Sequence, residues 1–187
     1  LRRGERLRAA DVLTAMLVRS ANDACLALVE HAAGDAATFR PRLAARARAL
    51  GLRDSNFVDP CGFDAPGQYT TARDLLRLAE AARRVPEIAL RARAVEARIR
   101  TVGGRELRFA TTNALIGRSP DAVGLKSGYT SGAGPSVIAL GERGPDRVVV
   151  VLLGAREDRW LAASGILAHA LVRAARLRAE GGGEPAR

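Results

Sequence analysis

Apolar residues between Val12 and Leu78 recur three or four positions apart, the repeat of one helix face, whereas from Ala97 onward they alternate or run together as in strands. Val12, Leu13, Met16 and Leu17 follow Asp11 and predict a helix ending near Arg19. Ser20-Ala21-Asn22-Asp23 breaks the pattern with residue types whose side chains compete for backbone hydrogen bonds and so favour caps and turns. Asp23 reads as a helix cap. A second helix, with Cys25, Leu28, Val29 and Ala32 inward, stops at Gly34. Thr38 opens a third, with Pro41 in its first turn and Phe39, Leu43 and Leu50 at core spacing, and Gly51 ends it. Asp54 to Tyr69 is dense in turn formers, and Asp59, Asp64 and Asp74 read as turn or cap residues. Thr71-Ala72-Arg73-Asp74 has the form of a capping box ahead of Leu75, Leu76 and Leu78, in a helix that stops before Pro86.

Ile99 to Val102, a Gly103-Gly104 turn and Glu106 to Phe109 predict a β-hairpin. Ala122 to Thr130, Ser136 to Leu140 and Arg147 to Leu153 predict three further strands. The unbroken run from Val148 to Leu153 predicts a strand buried on both faces. Asp158 caps a last helix, with Trp160, Leu161, Leu167, Leu171 and Val172, that covers the sheet. Helices, then antiparallel strands, then a covering helix make an α+β layering. One domain over 1–178 is expected, helical over about 9–92 and sheet plus last helix over about 96–178, with a flexible tail at 179–187.

Composition adds limits. The chain has 187 residues, 48% hydrophobic and 27% charged, which suits one soluble domain with a genuine core. No stretch approaches the ~20 apolar residues of a membrane span. The net charge is +10, but its arginines are spread through the predicted helices and only 4% of residues are aromatic. Stacking platforms for nucleic acid are therefore not evident; the charge reads first as a solvated basic surface, and attraction to an anionic envelope or polymer is the alternative. Cys25 and Cys61 read as small buried thiols; pairing them would require an oxidising compartment. With His31 they lack zinc-ligand spacing. His31 and His169 read as ordinary surface or core histidines.

Candidate chemistry sits in two places. Of thirty basic residues, Lys126 is the single lysine. A chain that otherwise writes positive charge as arginine keeps here a compact ammonium, able to act as a point charge and to move protons. It lies in Lys126-Ser127-Gly128 at the end of an apolar run (Ala122, Val123, Leu125), where Gly128 lets a ligand come close to the strand. The second place is Ser20-x-Asn22 at the helix break.

A Ser-x-Asn at a helix break and a Lys-Ser-Gly on a strand are two of the three motifs of penicillin-recognising serine enzymes. The text around them narrows the match: Leu17 to Ala24, Ala49-Leu50-Gly51-Leu52, Asn56 to Gly62, Tyr69 to Asp74 and Gly124 to Ala133. Together they resemble the D-alanyl-D-alanine carboxypeptidases, the low-molecular-mass penicillin-binding proteins, from about Leu1 to Arg173. The resemblance implies a β-lactamase/transpeptidase-like fold with an antiparallel sheet, a helical subdomain and a covering C-terminal helix. It implies serine chemistry without cofactor or metal, on the D-Ala-D-Ala end of a peptidoglycan stem peptide, with β-lactams as inhibitors. Its setting would be periplasmic or the cell envelope, and it allows membrane association of the full-length protein. Ser20 would shuttle a proton toward the leaving amine, and Asn22 would hold a substrate amide. Lys126 would supply positive potential, and Ser127 would donate to the terminal carboxylate. Gly128, Tyr129 and Thr130 would complete the substrate wall, with the Tyr129 N–H as one oxyanion donor.

One motif is missing. No serine is followed three positions later by lysine, so the nucleophile and its base are not in this sequence. The family places Ser-x-x-Lys before Ser-x-Asn. The expectation is therefore a truncated polypeptide, its fold incomplete at the N-terminus, with the nucleophile and a signal peptide upstream. Two other readings compete: a β-lactamase-related hydrolase, for which Glu87-Ile88-Ala89-Leu90 is the nearest deacylation motif, and a non-catalytic cell-wall-binding module.

Overall fold

In the computed structural model, which describes residues 1–156 and 158–181, helices fill the first half of the chain and antiparallel strands the second. Helix α1 spans Ala9–Val18 and α2 Asn22–Ala33. Helix α3 spans Ala36–Ala49, α4 Ala72–Arg83 and α5 Pro86–Ala92. Strands β1 (Glu96–Arg100) and β2 (Glu106–Ala110) form a hairpin. Strands β3 (Ala122–Gly128), β4 (Ser136–Arg143) and β5 (Asp146–Leu152) form a second sheet in that order, and α6 (Arg159–Gly181) closes the chain.

The helix starts depart from expectation for local reasons. Helix α1 begins at Ala9, two residues before Asp11, whose carboxylate sits in the first turn and accepts from Arg8 Nε at 3.1 Å. Asp35 rather than Thr38 caps α3, accepting the Thr38 N–H at 2.7 Å, so Pro41 falls in the second turn instead of the first. Asp23 is not a cap. The left-handed backbone of Ser20 lets α2 start at Asn22, which leaves Asp23 inside the first turn, where a carboxylate suits the free N–H groups. Thr71 does cap α4, accepting from the Asp74 N–H at 3.2 Å.

The cysteines correct a further expectation. Cys25 and Cys61 form a disulfide with Cα atoms 5.7 Å apart. The Asp59–Phe63 turn, closed by Asp59 accepting the Cys61 and Phe63 N–H groups, sets Cys61 over the start of α2. That places the Cβ atoms within bridging range. Asp74 is no mere cap residue either. It is fully buried, accepts from the Asp54 N–H at 2.7 Å and Ser55 Oγ at 2.8 Å, and pairs with Arg77 at 2.8 Å. It therefore ties the 54–70 loop to α4.

Two apolar clusters hold the halves. Val12, Ala15, Ala24 and Ile99 join α1, α2 and the hairpin. Val137, Ala139, Val150, Ala163 and Leu167 join the three-stranded sheet to α6. The buried stripe of α6 is Ala163, Leu167 and Leu171, four residues apart, so Leu161, expected inward, lies off it and is 75% exposed. A Cβ on Gly141 would meet Leu167 Cδ2 at 3.0 Å, so the glycine is what lets α6 lie this close to β4. The valine-rich run of β5 is half-buried rather than sealed, with Val150 its one fully buried residue. Its position at the sheet edge explains this: Val148 and Leu152 pack toward α6, and the outer edge is paired with no strand among the described residues. Helix α6 runs through Gly181; the rest of the expected tail, 182–187, lies outside the described residues. Among those residues no helix is long and apolar enough to cross a membrane.

Candidate functional site

Strand register aims Lys126. In the β3–β4 ladder Leu125 pairs with Ala139 and Lys126 with Ile138. Ala139 packs with the α6 cluster, so Lys126 takes the opposite face, toward the helical half. There its Nζ donates to Ser20 Oγ at 2.5 Å, across 106 residues of sequence, and to the Ser127 carbonyl at 2.6 Å.

Ser20 is held out by its backbone. Its φ of 56° lies in the left-handed region, uncommon for a residue other than glycine and costly by about 1–3 kcal/mol. That one residue turns α1 into α2 and leaves the hydroxyl at the cleft. Thr112, just after β2, fixes it from the other side: its Oγ1 lies 2.9 Å from Ser20 Oγ, and its N–H donates to the Val18 carbonyl at 3.0 Å. Lys126, Ser20 and Thr112 thus form one hydrogen-bonded row joining β3, the helix break and the end of the hairpin.

The row opens on a cleft of about 1050 Å³. Ser20, Asn22, Lys126, Ser127, Gly128, Tyr129 and Thr130 all line it, so the structure brings every sequence-predicted site residue to one place. Asn22 is exposed in the first turn of α2. A Cβ on Gly128 would meet nothing within 4 Å, leaving room for a ligand against the strand. Tyr129, 68% exposed, stands at the rim. The Ser127 hydroxyl is buried and donates to the Thr112 carbonyl at 3.4 Å.

The electrostatics are positive. Burial, and then the charge of Arg159, hold the Lys126 ammonium below the ordinary lysine range. Arg159 opens α6, lies over the Trp160 ring at 4.5 Å and donates to the Gly128 carbonyl at 2.8 Å. Among the described lining residues the one acid is Asp64, which binds Thr130 and Gly132. Glu87 lies in α5 and does not line the cleft. The cleft thus sets two cations, Lys126 and Arg159, beside a serine hydroxyl that Lys126 contacts directly.

Sequence reasoning missed Thr112, Arg159 and the reach of Asp64. Thr112 follows a strand with no motif spacing to mark it, and Arg159 is one arginine among many. No group of three or more His, Cys, Asp or Glu among the described residues is placed to hold a metal.

Residues 1–157 match the family described as D-alanyl-D-alanine carboxypeptidase. The chain belongs to that family. It is 35% identical over 161 residues to the D-alanyl-D-alanine carboxypeptidase DacC of Escherichia coli K12, covering 85% of this chain and 39% of that relative. With DacB2 of Mycobacterium tuberculosis it shares 30% identity over 152 residues, 80% of this chain and 52% of the relative. The chain thus spans two-fifths to half the length of these relatives. Penicillin-binding protein D2 of Listeria monocytogenes, in its ampicillin-bound form, superposes with a TM-score of 0.73 at 29% identity, covering 88% of this chain and 67% of that one. A point mutant of the Streptomyces K15 DD-transpeptidase superposes with a TM-score of 0.82 at 23% identity, over 88% of this chain and 68% of that one, a likeness of fold. The α+β architecture expected from the motifs is the architecture observed.

Proposed function

We propose that this cleft is the substrate-binding and proton-transfer side of a serine-type D-Ala-D-Ala carboxypeptidase that trims peptidoglycan stem peptides and is acylated by β-lactams. One observation carries the reading: the chain's single lysine, partly buried, donates to the serine of Ser-x-Asn at 2.5 Å, inside a cleft that a second cation, Arg159, also lines. A substrate ending in a carboxylate would seat that anion toward Lys126 and Arg159. Its scissile carbonyl would then lie between β3 and the Ser20 wall. In this reading the nucleophile is the serine of the family's Ser-x-x-Lys motif, which does not occur among these 187 residues. Its oxygen adds to the penultimate D-Ala carbonyl, and the C–N bond to the terminal D-Ala breaks. Ser20 delivers a proton to the departing amine, with Lys126 replenishing it, and water then cleaves the acyl ester. Asn22 holds a substrate amide, and the Tyr129 N–H polarises the reacting carbonyl. The Cys25–Cys61 disulfide supports an oxidising, extracytoplasmic setting.

The test is release of D-alanine from a peptide ending in D-Ala-D-Ala by the full gene product. Release that falls sharply in Ser20→Ala and Lys126→Ala is expected. Binding of the peptide without any release would favour a cell-wall-binding module, and rapid turnover of a chromogenic β-lactam would favour a β-lactamase. No glutamate lines the cleft among the described residues.

A further inference from the structure

Asp64 belongs to the loop that forms one wall of the cleft, yet it spends its carboxylate on the other wall. Its Oδ1 accepts from Thr130 Oγ1 at 2.6 Å and its Oδ2 accepts from the Gly132 N–H at 3.0 Å, contacts made across 66 and 68 residues of sequence. Thr130 and Gly132 follow directly on Lys126-Ser127-Gly128, at the point where the chain leaves the β3–β4 ladder. The turn there already closes on itself, the Gly134 N–H donating to the Thr130 carbonyl at 2.9 Å and the Ala133 N–H to Thr130 Oγ1 at 3.0 Å. Asp64 is therefore not needed to form the turn. What it adds is the turn's position relative to the opposite wall.

Two further observations converge on the same pair of segments. A Cβ on Gly132 would stand 3.0–3.2 Å from the Asp64 carboxylate atoms, tighter than ordinary contact, so the close approach depends on glycine there. The loop that carries Asp64 is itself anchored, by the Cys25–Cys61 disulfide three residues earlier and by Asp74 holding Asp54 and Ser55. A carboxylate on a tethered loop transmits that anchorage; on a free loop it would merely follow the turn.

We propose that Asp64 is a positioning residue that clamps the end of β3 to the disulfide-anchored loop across the mouth of the cleft, fixing where the strand's reactive edge stands relative to bound substrate. The clamp rests on the carboxypeptidase reading only for its kinetic consequence; the contact itself does not. Arg159 also holds the Gly128 carbonyl, so a second side chain fixes the strand end. Geometry fixed to within a fraction of an ångström is what makes a reacting carbonyl and its donors meet, and losing it costs rate more than affinity.

Two readouts in the full gene product test this. In Asp64→Ala the rate constant for acylation by saturating penicillin should fall roughly tenfold, with the labelled fraction at completion unchanged. A purely structural role would do the reverse, lowering the labelled fraction and sparing the rate. Gly132→Ala, which crowds the carboxylate without removing it, should shift the rate the same way by a smaller factor. Independently of acylation, hydrogen exchange of the amides from Ser131 to Gly134 should quicken in Asp64→Ala while those of α1 and α6 do not change. Unaltered exchange in that segment overturns the clamp, whatever the kinetics. Quickened exchange with an unaltered rate in a wild-type enzyme that does acylate overturns its positioning role. If the wild-type protein takes up no penicillin, the carboxypeptidase reading fails, and exchange alone decides whether Asp64 clamps the strand.

Discussion

Lys126 stands on a strand whose neighbours are fixed by ladder register, whereas Ser20 stands at a break between two helices with a φ of 56°. The strand wall draws its position from regular backbone pairing and from α6 packed behind it. The Ser20 wall has no such lattice. It relies on one strained residue, a disulfide, a buried aspartate, two hydrogen bonds with Thr112 and one from Lys126. A site that sets a serine hydroxyl beside a lysine ammonium is thus made from one rigid partner and one that is stapled into place.

Removing the staple should have the largest effect on stability. Cys25→Ala with Cys61→Ala frees a loop closed across 36 positions, worth about 4 kcal/mol by loop-closure entropy. Thermal unfolding followed by circular dichroism should show a clear fall in Tm, and the same treatment with reductant should reproduce it. An unchanged Tm would mean the Ser20 wall is held by packing alone.

Ser20→Gly separates backbone from hydroxyl. Glycine accepts the left-handed φ without penalty, so Tm should hold or rise, while penicillin acylation of the full gene product should fall by about a hundredfold for want of a proton carrier. A loss of both would show that the serine matters to the fold rather than to proton transfer.

What could be read in advance follows the same division. The Lys126 strand was legible because an apolar run ending in Lys-Ser-Gly marks a strand and its single lysine, whereas the face that lysine takes came only from its register with β4. Ser20 and Asn22 were legible as a break in helical period, though the text did not reveal that α2 begins at Asn22 and puts Asp23 inside the first turn rather than at the cap. The disulfide was missed because two isolated cysteines carry no pairing information until the turn at Asp59 sets one over the other. Asp64 read as a turn former because its neighbours are turn formers; only the fold brings Thr130 and Gly132 to it. Arg159 and Thr112 enter through tertiary contact, which no spacing encodes.

On the strand wall, Lys126→Arg should lower the acylation rate tenfold or more and leave Tm in place. The guanidinium is bulkier, planar and too basic to share a proton with Ser20. Stopped-flow or gel labelling with a fluorescent penicillin measures it, and undiminished labelling would move the cationic role to Arg159.

The smallest effect lies away from the cleft. Two hydrogen bonds from Arg105, with help from the Arg2 N–H, pull the Glu5 carboxyl down from 4.5 to about 2. A carboxylate more acidic in the folded state contributes stability that is complete above its unfolded pKa. That contribution is lost as pH falls from about 4.5 toward 2. In Glu5→Gln this part of the acid destabilisation should disappear from urea melts taken across that range, with no change at pH 7 in acylation.

The central claim is that Ser20, Asn22 and Lys126 serve a nucleophile they do not themselves provide. Intact-mass spectrometry with peptide mapping, after penicillin is added to the full gene product, tests it most directly. The account predicts one covalent adduct on the serine of a Ser-x-x-Lys segment, formed far more slowly in Ser20→Ala and Lys126→Ala, and none on the 187 residues described by this sequence. An adduct on Ser20, or on any other serine of these residues, would contradict it.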